Sequence, residues 1–148
     1  MPYVSGSLTG TWAIVDVLVS ASSRRQELLA KHGFAVPAPV PVRVLLDTGA
    51  SISGFSPRVF RALDLTHVST LDALTPSTPA HAPHPCELFD VSLALVAGGS
   101  AHWTGDTQVM SADCWPPNEQ LEGLLGMDVL RRGFFQLMGP ERKFVFAF

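Results

Sequence analysis

The sequence is poor in charge and in cysteine, and it contains no long apolar run. Charged residues make up 16% of the 148 residues and hydrophobic residues 47%, which is typical of a chain that folds around a core. Ten lysines and arginines against 13 acidic residues leave a net charge of −3. Because no basic stripe is present that could neutralise a row of phosphates, we expect no nucleic-acid partner.

Membrane and export segments are also lacking. No segment approaches the roughly 20 apolar residues of a membrane span, and the first residues have neither the basic start nor the apolar stretch of a signal peptide. The two cysteines, Cys86 and Cys114, show neither CxxC nor zinc-finger spacing. We therefore expect a soluble, cytoplasmic protein with reduced thiols and no membrane partner.

Turn-forming residues, in contrast, are abundant. Twelve glycines and 12 prolines favour many short strands over a helical bundle, and the length suits one domain spanning residues 1–148. Apolar alternation and β-branched runs predict strands at 11–19, 42–46 and 89–95. Capping residues predict a short surface helix or helical turn at 23–33, one or two helical turns at 56–63 and a short helix at 127–132, and residues 134–148 resemble a terminal hairpin. The expected fold class is all-β, mainly strands with one or two short helices.

One segment combines a buried strand with reactive groups. Leu45 and Leu46 lead directly into Asp47, which is followed by Thr48-Gly49-Ala50-Ser51. A strand would hold the Asp47 carboxylate rigidly, Gly49 would allow another chain to approach the backbone, and the Thr48 hydroxyl could lock the turn. The plainer interpretation is an aspartate that merely ends a strand, since Asp-Thr-Gly also occurs by chance.

A second apolar element, Leu124-Leu125-Gly126, precedes the last predicted helix. In this order and separation, the two motifs resemble those of the retropepsin-like aspartic proteases. The resemblance implies a retropepsin-like acid protease barrel with one lobe per chain and Asp47 as the catalytic residue. It implies further that Thr48 bonds across a dimer, that Gly49 lines the cleft, that Ala50 and Ser51 contact substrate or the carboxylate, and that Leu124, Leu125 and Gly126 support the active-site turn.

The resemblance also implies an assembly. Hydrolysis of this type needs two facing carboxylates, one to activate water and one to polarise the scissile carbonyl, and a chain with one such motif supplies one of them. We therefore expect a homodimer that brings two Asp47 side chains together at a two-fold axis. The expected activity is that of an aspartic endopeptidase on peptide or protein substrates at acidic to mildly acidic pH, with no metal and no cofactor.

The segment in the place of the flap, residues 71–88, departs from the viral pattern. No glycine occurs between Gly54 and Gly98, and four prolines lie between positions 76 and 85. A stiffer or differently folded flap favours an alternative, a catalytically weak or inactive peptide-binding dimer of the same fold. A domain excised from a longer precursor is a third possibility.

Three further features stay open in the sequence. His81, His84 and Cys86 superficially offer metal ligands, although a solvent-exposed loop is the favoured interpretation. The stripe of Phe144, Phe146 and Phe148 fits either the core or a strand that pairs two subunits. The segment 20–41 is longer than a hairpin needs and could decorate the cleft or the dimer surface.

Overall fold

The computed structural model describes residues 1–75, 79, 82–113 and 120–148. Within those residues the chain forms ten strands and three short helices. The strands are β1 (Tyr3–Ser7), β2 (Ile14–Ala21), β3 (Val40–Leu46), β4 (Gly54–Phe55), β5 (Ser69–Ala73), β6 (His84–Ala97), β7 (Ser100–Ser111), β8 (Gly123–Leu125), β9 (Phe134–Met138) and β10 (Lys143–Ala147). The helices are α1 (Ser23–Lys31), α2 (Pro57–Ala62) and α3 (Met127–Leu130). The expectation of a mainly β protein is confirmed, with three short helices rather than one or two.

Six of the described strands close into a barrel. They are hydrogen-bonded in the order β2-β3-β8-β4-β7-β6, and β6 pairs again with β2. The fifth strand pairs with β6 outside this ring and forms an edge of the sheet. Closure removes the free edges of the six ring strands, so the barrel is a rigid support for the loops at its ends.

Alternation along the strands places β-branched side chains inside the barrel. Val15, Val17 and Val19 of β2 are buried, whereas Asp16 between them is exposed. The same period of two places Val42 and Val44 of β3 in this core. Strand β6 does not show this alternation, because residues 91–95 are all buried, including Ser92. Both faces of β6 are therefore covered over these residues.

The terminal strands form a separate sheet in the order β1-β10-β9. Phe144 and Phe146 of its central strand are 1% and 0% exposed and belong to the main core, and Phe148 is half-buried against it. The core interpretation of the phenylalanine stripe therefore holds for Phe144 and Phe146. Strand β1, which the sequence analysis did not predict, pairs with β10 over its whole length.

The helices are short and begin at serine or glycine caps. The first helix begins at Ser23, as predicted, and ends at Lys31, short of the predicted Gly33. It is capped by Ser22, whose Oγ accepts a hydrogen bond from Arg25 N at 3.4 Å. The second helix follows Ser56 and has Pro57 at its first turn, as predicted. The third ends at Leu130, short of the predicted Arg132. In the described ranges, no helix has the length and apolar character needed to cross a membrane.

Candidate active site

Asp47 follows directly after β3, in the backbone segment that leaves the barrel. Strands β3 and β8 are parallel, with Leu46 opposite Leu125, and the Asp47 amide donates to the Leu125 carbonyl at 2.9 Å. The hydrogen-bond ladder thus extends one residue beyond the strand. The backbone of Asp47 is therefore fixed to the barrel, while its side chain is half-buried.

The turn after Asp47 is held by its own carboxylate. Oδ1 of Asp47 accepts the Gly49 amide at 2.8 Å, and the Ala50 amide donates to the Asp47 carbonyl at 3.3 Å. A Cβ atom at position 49 would lie 3.2 Å from this same Oδ1 atom. Glycine therefore leaves the carboxylate uncrowded, and the exposed Thr48 and Ser51 stand on either side of the turn.

A cleft of about 600 Å³ opens over this turn. We call its two sides the floor and the roof. The floor is formed by Asp47, Gly49, Ala50, Ser51, Ile52, Gly54, Met110, Ala112 and Leu124, and the roof by Leu71, Asp72, Ala73, Leu74, Thr75 and Pro83. Asp47, Gly49, Ala50, Ser51 and Leu124, which sequence reasoning selected, thus meet in one cavity that suits an extended, largely apolar segment.

Thr48 lies on the other side of Asp47, away from the cleft. It lines a depression of about 520 Å³ together with Asp47, Trp12, Phe135 and Leu137. Phe135 and Leu137 belong to β9, an edge strand of the terminal sheet. Asp47 therefore stands between the cleft and an exposed sheet edge.

The three residues of the Leu124-Leu125-Gly126 motif lie beside the Asp47 turn, each in a different environment. Leu124 faces the cleft, Leu125 is buried in the core, and Gly126 packs against the backbone of the turn. A Cβ atom on Gly126 would lie 2.8 Å from the Ala50 carbonyl oxygen and 2.9 Å from the Ile52 carbonyl carbon. Only glycine allows this approach, which lets the Met127 amide donate to the Ala50 carbonyl at 2.8 Å.

Two residues that sequence reasoning did not assign to the site hold the far end of the same segment. Ser53 is fully buried, and both its amide and its hydroxyl donate to the Asp128 carboxylate, at 3.0 and 2.7 Å. A serine in a loop carries no pattern that would have singled it out.

The charged residues described in the cleft are acidic. Of the described residues that line it, only Asp47 and Asp72 are charged. Nearby Cys86 packs between roof and floor among Ile52, Ala73 and Met110. Burial, and in second place the charge of Asp72, raises the pKa of the Cys86 thiol, which is therefore protonated at neutral pH.

The histidine and cysteine residues near the roof are only partly described. His84 Nε2 lies 3.4 Å from Cys86 Sγ, whereas His81 and Cys114 lie outside the described residues. Among the residues that are described, no three His, Cys, Asp or Glu side chains are placed to hold a metal ion together. The expectation that the site uses no metal stays a prediction.

The long segment after β2 does not reach the cleft in the described part of the chain. Helix α1 has no buried residue and is attached by Asp106, whose carboxylate accepts the Ser23 amide and hydroxyl at 3.1 and 3.0 Å. Of the described lining residues of the cleft, none comes from positions 20–41. The sequence left two placements open for this segment, the cleft and the dimer surface. The structure does not support the placement at the cleft.

Among solved structures, the chain is similar to a retropepsin-like aspartic protease from Rickettsia conorii, with a TM-score of 0.57 and 13% identity over 98% of this chain and 90% of that one. It is also similar to the EIAV protease in complex with the inhibitor HBY-793, at 16% identity over 84% and 89% of the two chains and a TM-score of 0.42. No protein-family model and no curated protein matches the sequence. The chain has the retropepsin-like fold.

Proposed function

We propose that this chain is one half of an aspartic endopeptidase, a peptide hydrolase in which Asp47 is the catalytic residue. The observation that carries the proposal is the position of Asp47 on the floor of a largely apolar cleft, fixed by β8 on one side and by the Gly49 turn on the other. The fold and the position of Asp47 are separate observations, and both favour aspartic peptide hydrolysis. Fold alone would not suffice, because one fold serves many functions.

The proposed reaction needs two carboxyl groups, and each chain carries one. In a homodimer, a neutral Asp47 would donate its proton to the oxygen of the scissile carbonyl while the ionised Asp47 of the second copy takes a proton from the attacking water. The water oxygen bonds to the carbonyl carbon, and proton transfer to the nitrogen then lets the C–N bond break. Because two like charges this close cannot both ionise readily, we expect the pair to share one proton and to work at acidic to mildly acidic pH.

The surface next to Thr48 supports this assembly. Strand β9 is an edge strand, and its Phe134 and Leu137 side chains are 59% and 53% exposed. Leu137 lines the depression that also contains Asp47 and Thr48. A second copy seated on this edge would cover exposed apolar side chains and bring Thr48 and Asp47 towards their counterparts.

A first experiment separates chemistry from assembly. Asp47→Asn keeps the shape of the side chain but removes its acid–base function, so we expect cleavage of an unstructured protein to fall by about 10³-fold or more. The assay should span pH 3 to 7, around the ordinary aspartate pKa of about 4. Sedimentation should show that the variant is still dimeric. Unchanged cleavage by a dimeric Asp47→Asn protein would refute the proposal.

A second experiment tests the dimer surface with a matched pair. Leu137→Arg places a charge in the proposed interface, and Leu28→Arg places one on the exposed face of α1. We expect the first variant to be monomeric and inactive, because an unpaired guanidinium would have to be buried, and the second to behave like the original chain. An active wild-type protein that sediments as a monomer would exclude the two-carboxylate scheme.

The roof favours one alternative function, a dimer of the same fold that binds peptides and turns them over slowly or not at all. The reason is the sequence of residues 71–88, which has four prolines and lacks glycine. Rigid hairpins close over a substrate less readily than glycine-rich ones. A dimeric protein that binds unstructured peptides, yet cleaves none across the pH range, would support this alternative.

A further inference from the structure

Asp128 holds the end of the segment that begins with Asp47. Its Oδ2 accepts the Ser53 amide at 3.0 Å, and its Oδ1 accepts the Ser53 hydroxyl at 2.7 Å and the Val129 amide at 3.0 Å. Ser53 is fully buried, and its hydroxyl oxygen also accepts the Gly126 amide at 3.0 Å. The carboxylate therefore satisfies a set of buried donors directly behind the turn that carries Asp47.

Four consecutive residues, 125–128, fasten this segment at three points. Leu125 accepts the amide of Asp47, Met127 donates to the carbonyl of Ala50, and Asp128 holds Ser53. Between Leu46 and Gly54 no residue belongs to a strand or helix. These attachments, together with a hydrogen bond from the Met110 amide to the Ser53 carbonyl at 2.9 Å, hold the backbone from position 47 to 53.

We propose that Asp128 is a positioning residue for Asp47, acting through Ser53. The proposal rests on the proposed function, in which Asp47 must meet both a water molecule and its copy in the second chain. Displacement of a reacting group by about 1 Å can lower a rate by about 100-fold. A loosened attachment at Ser53 would let the far end of the turn move and would misplace the carboxylate at its start.

The carboxylate cannot be replaced by an amide without loss. An asparagine has one acceptor oxygen, so in one orientation of the amide the Ser53 N–H loses its acceptor, and in the other the Ser53 hydroxyl loses it. The Val129 N–H keeps a partner in both, because it also donates to the Gly126 carbonyl at 3.1 Å. Ser53→Ala is a second variant, which removes the hydroxyl that links Asp128 to Gly126. Two different substitutions thus disturb the same attachment.

The chain offers a matched control in Asp106. This aspartate holds Ser23 in the same way, by its amide and its hydroxyl, but it anchors α1 rather than the Asp47 turn. Neither Asp106 nor Ser23 lines the cleft. Asp106→Asn therefore weakens a similar but exposed contact in a part of the described chain that is separate from the site.

The experiment compares steady-state kinetics of the three variants with a peptide that the wild-type protein cleaves. We expect Asp128→Asn and Ser53→Ala to lower kcat by about 10- to 100-fold with KM changed by less than about threefold, because the attachment sets the geometry of Asp47. Asp106→Asn should keep the wild-type kcat. A wild-type kcat in folded Asp128→Asn, or an equal loss in Asp106→Asn, would overturn the proposal.

Amide hydrogen exchange gives a readout that does not require activity. We expect the amides of Asp47 and Gly49, which are hydrogen-bonded to Leu125 and to the Asp47 carboxylate, to exchange faster in Asp128→Asn and unchanged in Asp106→Asn. Faster exchange in an inactive protein would support the positioning role while the protease proposal fails. Unchanged exchange at both amides would overturn the positioning role whether or not the protein cleaves peptides.

Discussion

The floor and the roof of the cleft are built from opposite kinds of structure. The floor joins the end of a closed barrel, where the backbone of Gly54 is paired on both sides, with Leu124 of β8 and Met110 of β7. The roof is carried by β5, an edge strand in which every residue except Ala73 is exposed. One side of the cavity is therefore fixed by its neighbours, and the other rests on one partner strand.

This difference matches two separate requirements of the proposed reaction. The carboxylate must be held in one place, which buried ladders and close glycine packing achieve. A peptide must enter and leave, which requires a side that opens at low cost, and edge hairpins with few buried contacts are such elements. Substitutions in the floor should therefore change folding or kcat, whereas those in the roof should change KM.

The largest effect is expected from Gly126→Ala, because Gly126 packs against the floor residues Ala50 and Ile52. Its new Cβ would lie 2.8 Å from the Ala50 carbonyl oxygen, and backbone on both sides would have to move. We expect the free energy of unfolding to fall by about 3 kcal/mol, as for overpacking in a rigid site, and any remaining cleavage to be strongly reduced. Denaturant unfolding and the peptide assay would measure both quantities.

Gly139→Ala is the matched control for this substitution. Gly139 lies in the turn between β9 and β10, where a Cβ atom would meet none of the described residues within 4 Å. We expect its unfolding free energy to stay within about 0.5 kcal/mol of the original value. Equal stability of the two variants would show that the floor is not as tightly packed as its geometry indicates.

The floor was also the part that sequence reasoning predicted best. The apolar residues before Asp47 form β3, Leu124 and Leu125 pair beside it in β8, and Ser56-Pro57 begins α2. These elements have strong local patterns in the sequence, a buried apolar run or a helix cap, which can be recognised without knowledge of their tertiary contacts. The predicted mainly β fold follows from them.

The elements that were missed depend on tertiary contacts. Strand β4 has two residues and exists because β7 and β8 lie on either side of it. Strand β5 shows no apolar alternation, since nearly all of its residues are exposed at a sheet edge. In the sequence, Ser53 looks like an ordinary loop serine. Only the structure shows that its amide donates to the carboxylate of Asp128, 75 positions later. A single sequence contains no local pattern for such long-range pairs.

A smaller effect is expected from Leu71→Ala in the roof. Leu71 lines the cleft but is 41% exposed in the free chain, so its loss costs the fold little and removes apolar contact with a bound peptide. We expect KM to rise by about 3- to 10-fold with kcat nearly unchanged. Val68→Ala, 53% exposed just before β5 and absent from the lining, should leave both constants unchanged. A fall in kcat instead of a rise in KM would contradict the division between roof and floor.

The smallest effect concerns Cys86, which packs where roof and floor meet. Burial and the charge of Asp72 raise its pKa above the ordinary 9.0, so the folded state binds the thiol proton more tightly than the unfolded state does. Its contribution to stability is therefore complete below the unfolded pKa and is lost as the pH rises through the folded one. In a Cys114→Ser background, unfolding free energies measured from pH 7 to pH 10 should decline more steeply for the chain with Cys86 than for Cys86→Ala.

The reactivity of the thiol gives a second measurement. Iodoacetamide should react more slowly with the native Cys86 thiol than with the urea-unfolded one. Identical pH slopes would show that the thiol proton is bound equally in both states and that the junction of roof and floor is open to water.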